Sequence, residues 1–135
     1  MRRLARELSL QILFQIEFTP QMSLSEITTL FEKKFEPSIL NYALEIVNGV
    51  KAHKEKIDSQ ISAVSTHWKI DRMASVDRNI LRSACYEMFF SQERLEPKIV
   101  INEALEIAKI FGTGDSSAFI NGLLDQIVKN NKLNQ

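Results

Sequence analysis

The sequence predicts an all-α fold arranged as two packed three-helix bundles. Three observations support this. Apolar residues recur at three- and four-residue spacing along most of the 135-residue chain, which is the period of an amphipathic helix. No stretch shows the sustained alternation or the turn dipeptides of a hairpin. Capping residues, prolines and glycines punctuate the pattern into three helices per half.

The elements follow in order. Leu4, Leu8, Ile12 and Ile16 form an i, i+4 stripe joined by Ala5. This first helix ends near Thr19-Pro20, because proline restrains the residue before it. Ser23-Leu24-Ser25-Glu26 is a capping-box pattern that opens a short helix with Ile27, Leu30 and Phe31 inward. Glu36-Pro37 stops it, and proline suits the first position of the next helix. That third helix reads as one long element from about residue 38 to 65, with Leu40, Ala43, Leu44, Val47, Val50 and Ile57 as core. Gly49 inside it marks close packing or a bend.

The stretch HWKIDRMAS, residues 67–75, breaks the periodicity. It divides a single domain, 1–135, into an N-terminal bundle at 1–66 and a C-terminal bundle at 67–135, with Trp68 as a wedge between them. Ser75 is the expected cap of a fourth helix carrying Ile80, Leu81, Ala84, Cys85 and Met88. Pro97 begins a fifth, with Val100, Ile101, Ala104, Leu105, Ala108 and Phe111 inward, and Gly112 ends it. The last helix starts after Asp115 or Ser116 and runs through Ile120, Leu123, Leu124, Ile127 and Val128. Gly122 in its interior costs about 1 kcal/mol relative to alanine, which suggests a close helix approach.

Composition excludes several classes of function. At 44% apolar and 25% charged residues, the chain can build a core without a disulfide or metal staple. Cys85 is the single cysteine and reads as core. His53 and His67 lack ligand spacing, so neither metal nor cofactor is expected. The segment GTGDSS, residues 112–117, has the glycines of a phosphate loop, but no lysine follows and no strand precedes. Ser116 and Ser117 have no base grouped with them. Glu103, Glu106 and Lys109 read as a solvated helix face. A non-enzymatic protein is expected. No apolar run approaches the roughly 18 residues of a membrane span, and no signal-peptide h-region follows Met1, so a cytoplasmic location is expected.

Charge is balanced in sum and uneven in distribution. The 17 basic and 17 acidic side chains cancel, which argues against a strong autonomous nucleic-acid binder. Yet Arg2, Arg3 and Arg6 crowd the first six residues, while residues 93–125 carry an acidic excess. At 100° per residue these arginines fall within an arc of about 100°. They are placed to grip phosphates or stack on bases, or to form a solvated basic turn. Cations oppose the helix dipole there, which weakens the purely structural alternative. Phe119 lies about 110° from the centre of the last apolar stripe, at the core rim or free as a binding aromatic.

Trp68 and Arg72 precede Asp77-Arg78-x-Ile80-Leu81-Arg82-x-Ala84-x-Tyr86-Glu87. With VINEALEIAKIFG at 100–112, FINGLLDQI after Ser116-Ser117, and the opening RRLARELSLQILFQ, this order resembles the NusB family of bacterial transcription antitermination factors. The match covers essentially the whole chain. The resemblance implies two three-helix bundles and no enzymatic activity. It implies binding of boxA RNA in ribosomal RNA leaders together with NusE, a small-subunit ribosomal protein, in a complex on RNA polymerase that resists termination. Some similar proteins also form homodimers. The resemblance assigns RNA contact to Arg2, Arg3, Arg6 and Phe119, and partner contact to Phe14, Asp77 and Asp115. Phe14 stands where the family commonly has tyrosine, so a phenol hydroxyl is missing there. Two other readings are a helical protein adapter without RNA and an accessory domain like that of certain ribosomal RNA cytosine methyltransferases. The chain has no glycine-rich cofactor segment for methylation itself.

Overall fold

A computed structural model describes residues 2–133. The helices are α1 (Arg2–Phe18), α2 (Leu24–Glu32), α3 (Pro37–Ala52), α4 (Lys54–Val64), α5 (Ser75–Cys85), α6 (Pro97–Phe111) and α7 (Ser116–Leu133). A 3-10 turn at Ile70–Arg72 precedes α5, which runs on into a π-helical turn at Tyr86–Phe90. No strand occurs among the described residues, and the fold is all-α as predicted.

Local chemistry accounts for the main boundaries. Ser23 and Glu26 exchange both bonds of a capping box, at 3.0 and 3.1 Å. Pro37 and Pro97 stand in the first turns of α3 and α6, where a missing N–H is no loss. Gly112 closes α6 with its N–H on the Ala108 carbonyl at 2.8 Å. A Cβ on Gly112 would press on the Ser116 side chain and that carbonyl, so glycine lets α7 begin tightly beneath the end of α6.

The structure corrects several expectations. The long third helix is two helices, because His53 leaves helical backbone at φ −113° and ψ 18°. α3 lies chiefly against α1, whereas α4 lies against α5 and α7, and the break lets one run of apolar residues serve both. Ser75 is the first helical residue, with Ala74 at the cap position; the Ser75 hydroxyl donates to Glu17 at 2.6 Å instead. Leu30 is exposed rather than inward. Trp68 is 57% exposed and is no wedge. Gly122 has nothing within 4 Å of where a Cβ would stand, so it marks no close approach. Gly49 does mark one, since the Tyr86 ring occupies the space its Cβ would need.

The core is one cluster that runs through both halves. Leu8, Ile12, Ile27, Ile46, Ile57, Ile61, Leu81, Ile120, Leu124 and Ile127 are fully enclosed in it. Cys85 belongs to it as expected, and burial pushes its thiol up to about 12. Polar ties supplement the apolar contact. Arg78 Nε and Arg82 Nη1 of α5 donate to Glu17 Oε2 of α1 at 2.9 and 3.2 Å. Arg82 Nε also donates to Asp58 of α4 at 2.9 Å. Three helices from the two sides of the 66/67 position are thus pinned at one point.

Candidate nucleic-acid and partner interface

The N-terminal end of α1 separates the three arginines by environment. The Arg2 guanidinium lies 4.8 Å from the Tyr42 ring centroid, within reach of a cation–π attraction. It is also 3.6 Å from a Glu93 carboxylate oxygen, with the side chain 42% exposed. Arg3 pairs with Glu103 of α6 and remains 46% exposed. This bond holds the Glu103 carboxyl below its ordinary range.

Arg6 is different. Only 9% of its side chain is exposed. Its Nε and Nη2 donate to the two oxygens of Glu87 at 2.8 and 3.0 Å, and Nη1 donates to Glu103 at 3.2 Å. Glu87, itself buried, also accepts from the Tyr42 hydroxyl at 2.6 Å. Burial raises the pKa of Tyr42, and the bond to Glu87 raises it further. Swinging Arg6 out to a phosphate would strand a buried carboxylate, which is strongly unfavourable. The sequence assigned no contact to Glu87 or Tyr42, whose partners lie 81 and 45 residues away. Nor did it single out Lys34, which lines a groove with Arg2, Phe35 and Tyr42.

Further along α1, Phe14 is 41% exposed and stacks on Phe18. The ring centroids are 5.9 Å apart and the planes 12° from parallel. Phe18 is 72% exposed and is not among the residues the sequence predicts for an interface. Its signal was there, in two phenylalanines at i, i+4 beside the apolar stripe. At 100° and 1.5 Å per residue, Arg3, Phe14 and Phe18 share an arc of about 60°, with Arg3 and Phe14 about 16 Å apart along the axis.

The α6–α7 junction gathers the remaining candidates. Buried Ser116 accepts from the Thr113 N–H at 2.9 Å and donates to Asp77 Oδ1 at 2.8 Å. The glycine-containing segment is therefore a helix junction that docks the start of α7 onto α5. Among the described residues no hydrogen bond involves the exposed Asp115 carboxylate. Phe119 packs against the core and lines a cleft with Asp77, Asp115, Trp68 and Arg72. Asp77, Asp115 and Phe119 are thus brought together, while Arg2, Arg3, Arg6 and Phe14 do not line this cleft. Among the described residues no group of three or more side chains is arranged to hold a metal ion.

Comparison with known proteins bears on the family and the fold. The NusB family profile matches residues 3–129. The transcription antitermination protein NusB of Bdellovibrio bacteriovorus is 56% identical over 128 residues, covering 95% of each chain. That of Elusimicrobium minutum is 43% identical over 136 residues, covering 99% of this chain and 97% of its own. The solved structure of T. maritima NusB superposes with a TM-score of 0.86 at 35% identity, covering 96% of this chain and 91% of the other. A chain from the crystal structure of antitermination factors NusB and NusE in complex with dsRNA gives 0.80 at 28% identity, covering 96% of both. Matched along nearly its whole length by sequence and by fold, the chain belongs to the NusB family.

Proposed function

We propose that this chain is an RNA-binding transcription antitermination factor that acts with a NusE protein on boxA RNA of ribosomal RNA leaders. The observation that carries this is its likeness, over nearly all its length, to a chain from a structure holding NusB, NusE and double-stranded RNA together. The part-exposed guanidiniums of Arg2 and Arg3 supply phosphate contacts. Arg6 supports them from below: it shares Glu103 with Arg3, and its own charge is spent on Glu87. Phe119 stacks on a base. Phe14, with Phe18 beside it, and the carboxylates Asp77 and Asp115 face the basic protein partner, where opposite charge speeds encounter. Because Arg3 and Phe14 share one edge of α1, a partner seated on the aromatic pair adjoins RNA held at the helix start. Self-association through the same aromatic pair would compete with that partner. The assembled complex acts on RNA polymerase, a role that calls for no catalytic group. It belongs in the cytoplasm, and among the described residues no helix is long and apolar enough to cross a membrane.

The test is a boxA titration at several salt concentrations with NusE present. Each phosphate neutralised on a single strand contributes about 0.7 to the slope of log K against log salt. Replacing Arg2 and Arg3 together by alanine should flatten that slope by about 1.4. Phe119→Ala should lower affinity at every salt concentration and leave the slope unchanged. An unchanged slope in the double variant would move the phosphate contacts elsewhere. Absence of binding by the wild-type pair would overturn the RNA-binding function.

A further inference from the structure

Trp68 is the chain's single tryptophan, and more than half of its surface is open to solvent. Its backbone is held in place, since the Ser65 hydroxyl donates to the Trp68 carbonyl. Trp68 lines two depressions of the surface. One is the cleft that it shares with Phe119 and Arg72. The other is a groove where Lys54, Lys69, Arg78 and Arg82 outnumber the carboxylates of Glu17, Asp58 and Asp71 by one. A large apolar ring left in water is unfavourable by the transfer free energy of its surface, and nothing in the core needs it there. We propose that Trp68 is a second stacking platform for single-stranded RNA, in the cleft that it lines together with Phe119. A base thereby lies against aromatic surface while its phosphate meets the Arg72 guanidinium. This rests on the RNA-binding function proposed above and extends its contact surface beyond the arginines and Phe119.

The chemistry of the cleft favours a base over other occupants. Bases stack on tryptophan and phenylalanine without regard to sequence, and arginine adds a cation or a stacking plane. Asp77 and Asp115, the carboxylates assigned above to the protein partner, also line this cleft and repel a phosphate inside it but not the uncharged face of a base. The backbone is therefore steered toward Arg72 and Lys69, and the base inward. Asp77 is moreover already bonded to Ser116, which leaves Asp115 as the carboxylate open to the partner.

Trp68 emission reports on this directly. Single-stranded boxA RNA added to the protein with NusE should quench it, with a Trp68→Phe protein titrated alongside to subtract any signal from the partner. The same sequence presented as a duplex should not quench. Trp68→Ala should weaken RNA binding about 5- to 150-fold at every salt concentration, the equivalent of about 1–3 kcal/mol per stacked base, with an unchanged melting temperature. Trp68→Phe should retain most of the affinity. Unaltered emission and full affinity of Trp68→Ala, while the wild type binds RNA, would overturn this platform alone. Emission that shifts on adding NusE and not RNA would overturn it in favour of a protein contact. If the wild-type pair bound no RNA, the function beneath it would fail first.

Discussion

Arg6 and Arg3 stand three residues apart on one helix and serve different purposes. Arg3 is a surface cation with a carboxylate neighbour, while Arg6 is the centre of a buried network that joins α1, α3, α6 and the π-helical turn through Glu103, Tyr42 and Glu87. Removing one partner of a buried pair leaves an uncompensated charge and costs about 3–5 kcal/mol, whereas replacing both by apolar groups is far less harmful. Arg6→Ala should therefore lower the urea stability by about that amount, and Arg6→Met with Glu87→Met should recover most of it. Arg3→Ala should leave stability close to wild type and act on the salt dependence of RNA binding. Equal stability of the two alanine variants would show that the Arg6 network contributes nothing to the fold.

Among the helices, two glycines that look alike in the sequence differ in three dimensions. Gly49 in α3 lies against the Tyr86 ring, at the point where α5 turns into its π-helical segment. An added methyl there forces the ring or the helix aside, with an overpacking penalty of about 1–3 kcal/mol. Gly122 in α7 faces open space, so alanine gains about 1 kcal/mol of helix propensity without a clash. Thermal melts should therefore move in opposite directions, downward for Gly49→Ala and upward for Gly122→Ala. A lowered melt for Gly122→Ala would mean that a helix does approach α7 at that point.

Across the whole molecule, the two halves share a core and a polar joint, so they should unfold as one unit. Glu17 is the joint's titratable member. Partial burial alone would raise its carboxyl, but bonds from Arg78, Ser75 and Asn79 outweigh that and hold it at about 2, against an ordinary value of 4.5. A carboxyl depressed in the folded state contributes fully above its unfolded pKa, and the contribution is lost as pH falls toward the folded value. The stability difference between wild type and Glu17→Gln should therefore be constant above about pH 4.5 and shrink as the pH drops toward 2. Urea midpoints at several pH values would check this. A difference that stayed constant to pH 2 would mean that the carboxylate charge is not what ties α1 to α5.

The sequence by itself determined most of the helices, because helix formation depends on neighbours three and four residues away and on caps one turn away. The capping box at Ser23, the prolines opening α3 and α6, the glycine ending α6 and most of the core stripes, though not Leu30, were legible in it. So was the family, spread over three blocks of the chain. Only the tertiary structure decided which arginines are open to a ligand. Arg6 is buried by Glu87, 81 residues away, and no local pattern distinguishes it from Arg3. The same reason explains Trp68, whose type suits both a core wedge and a surface platform until its neighbours are placed. It also explains the break at His53, where the apolar period continues while the helix itself does not. Burial is set by what packs against a residue, and those partners come from the far ends of the chain.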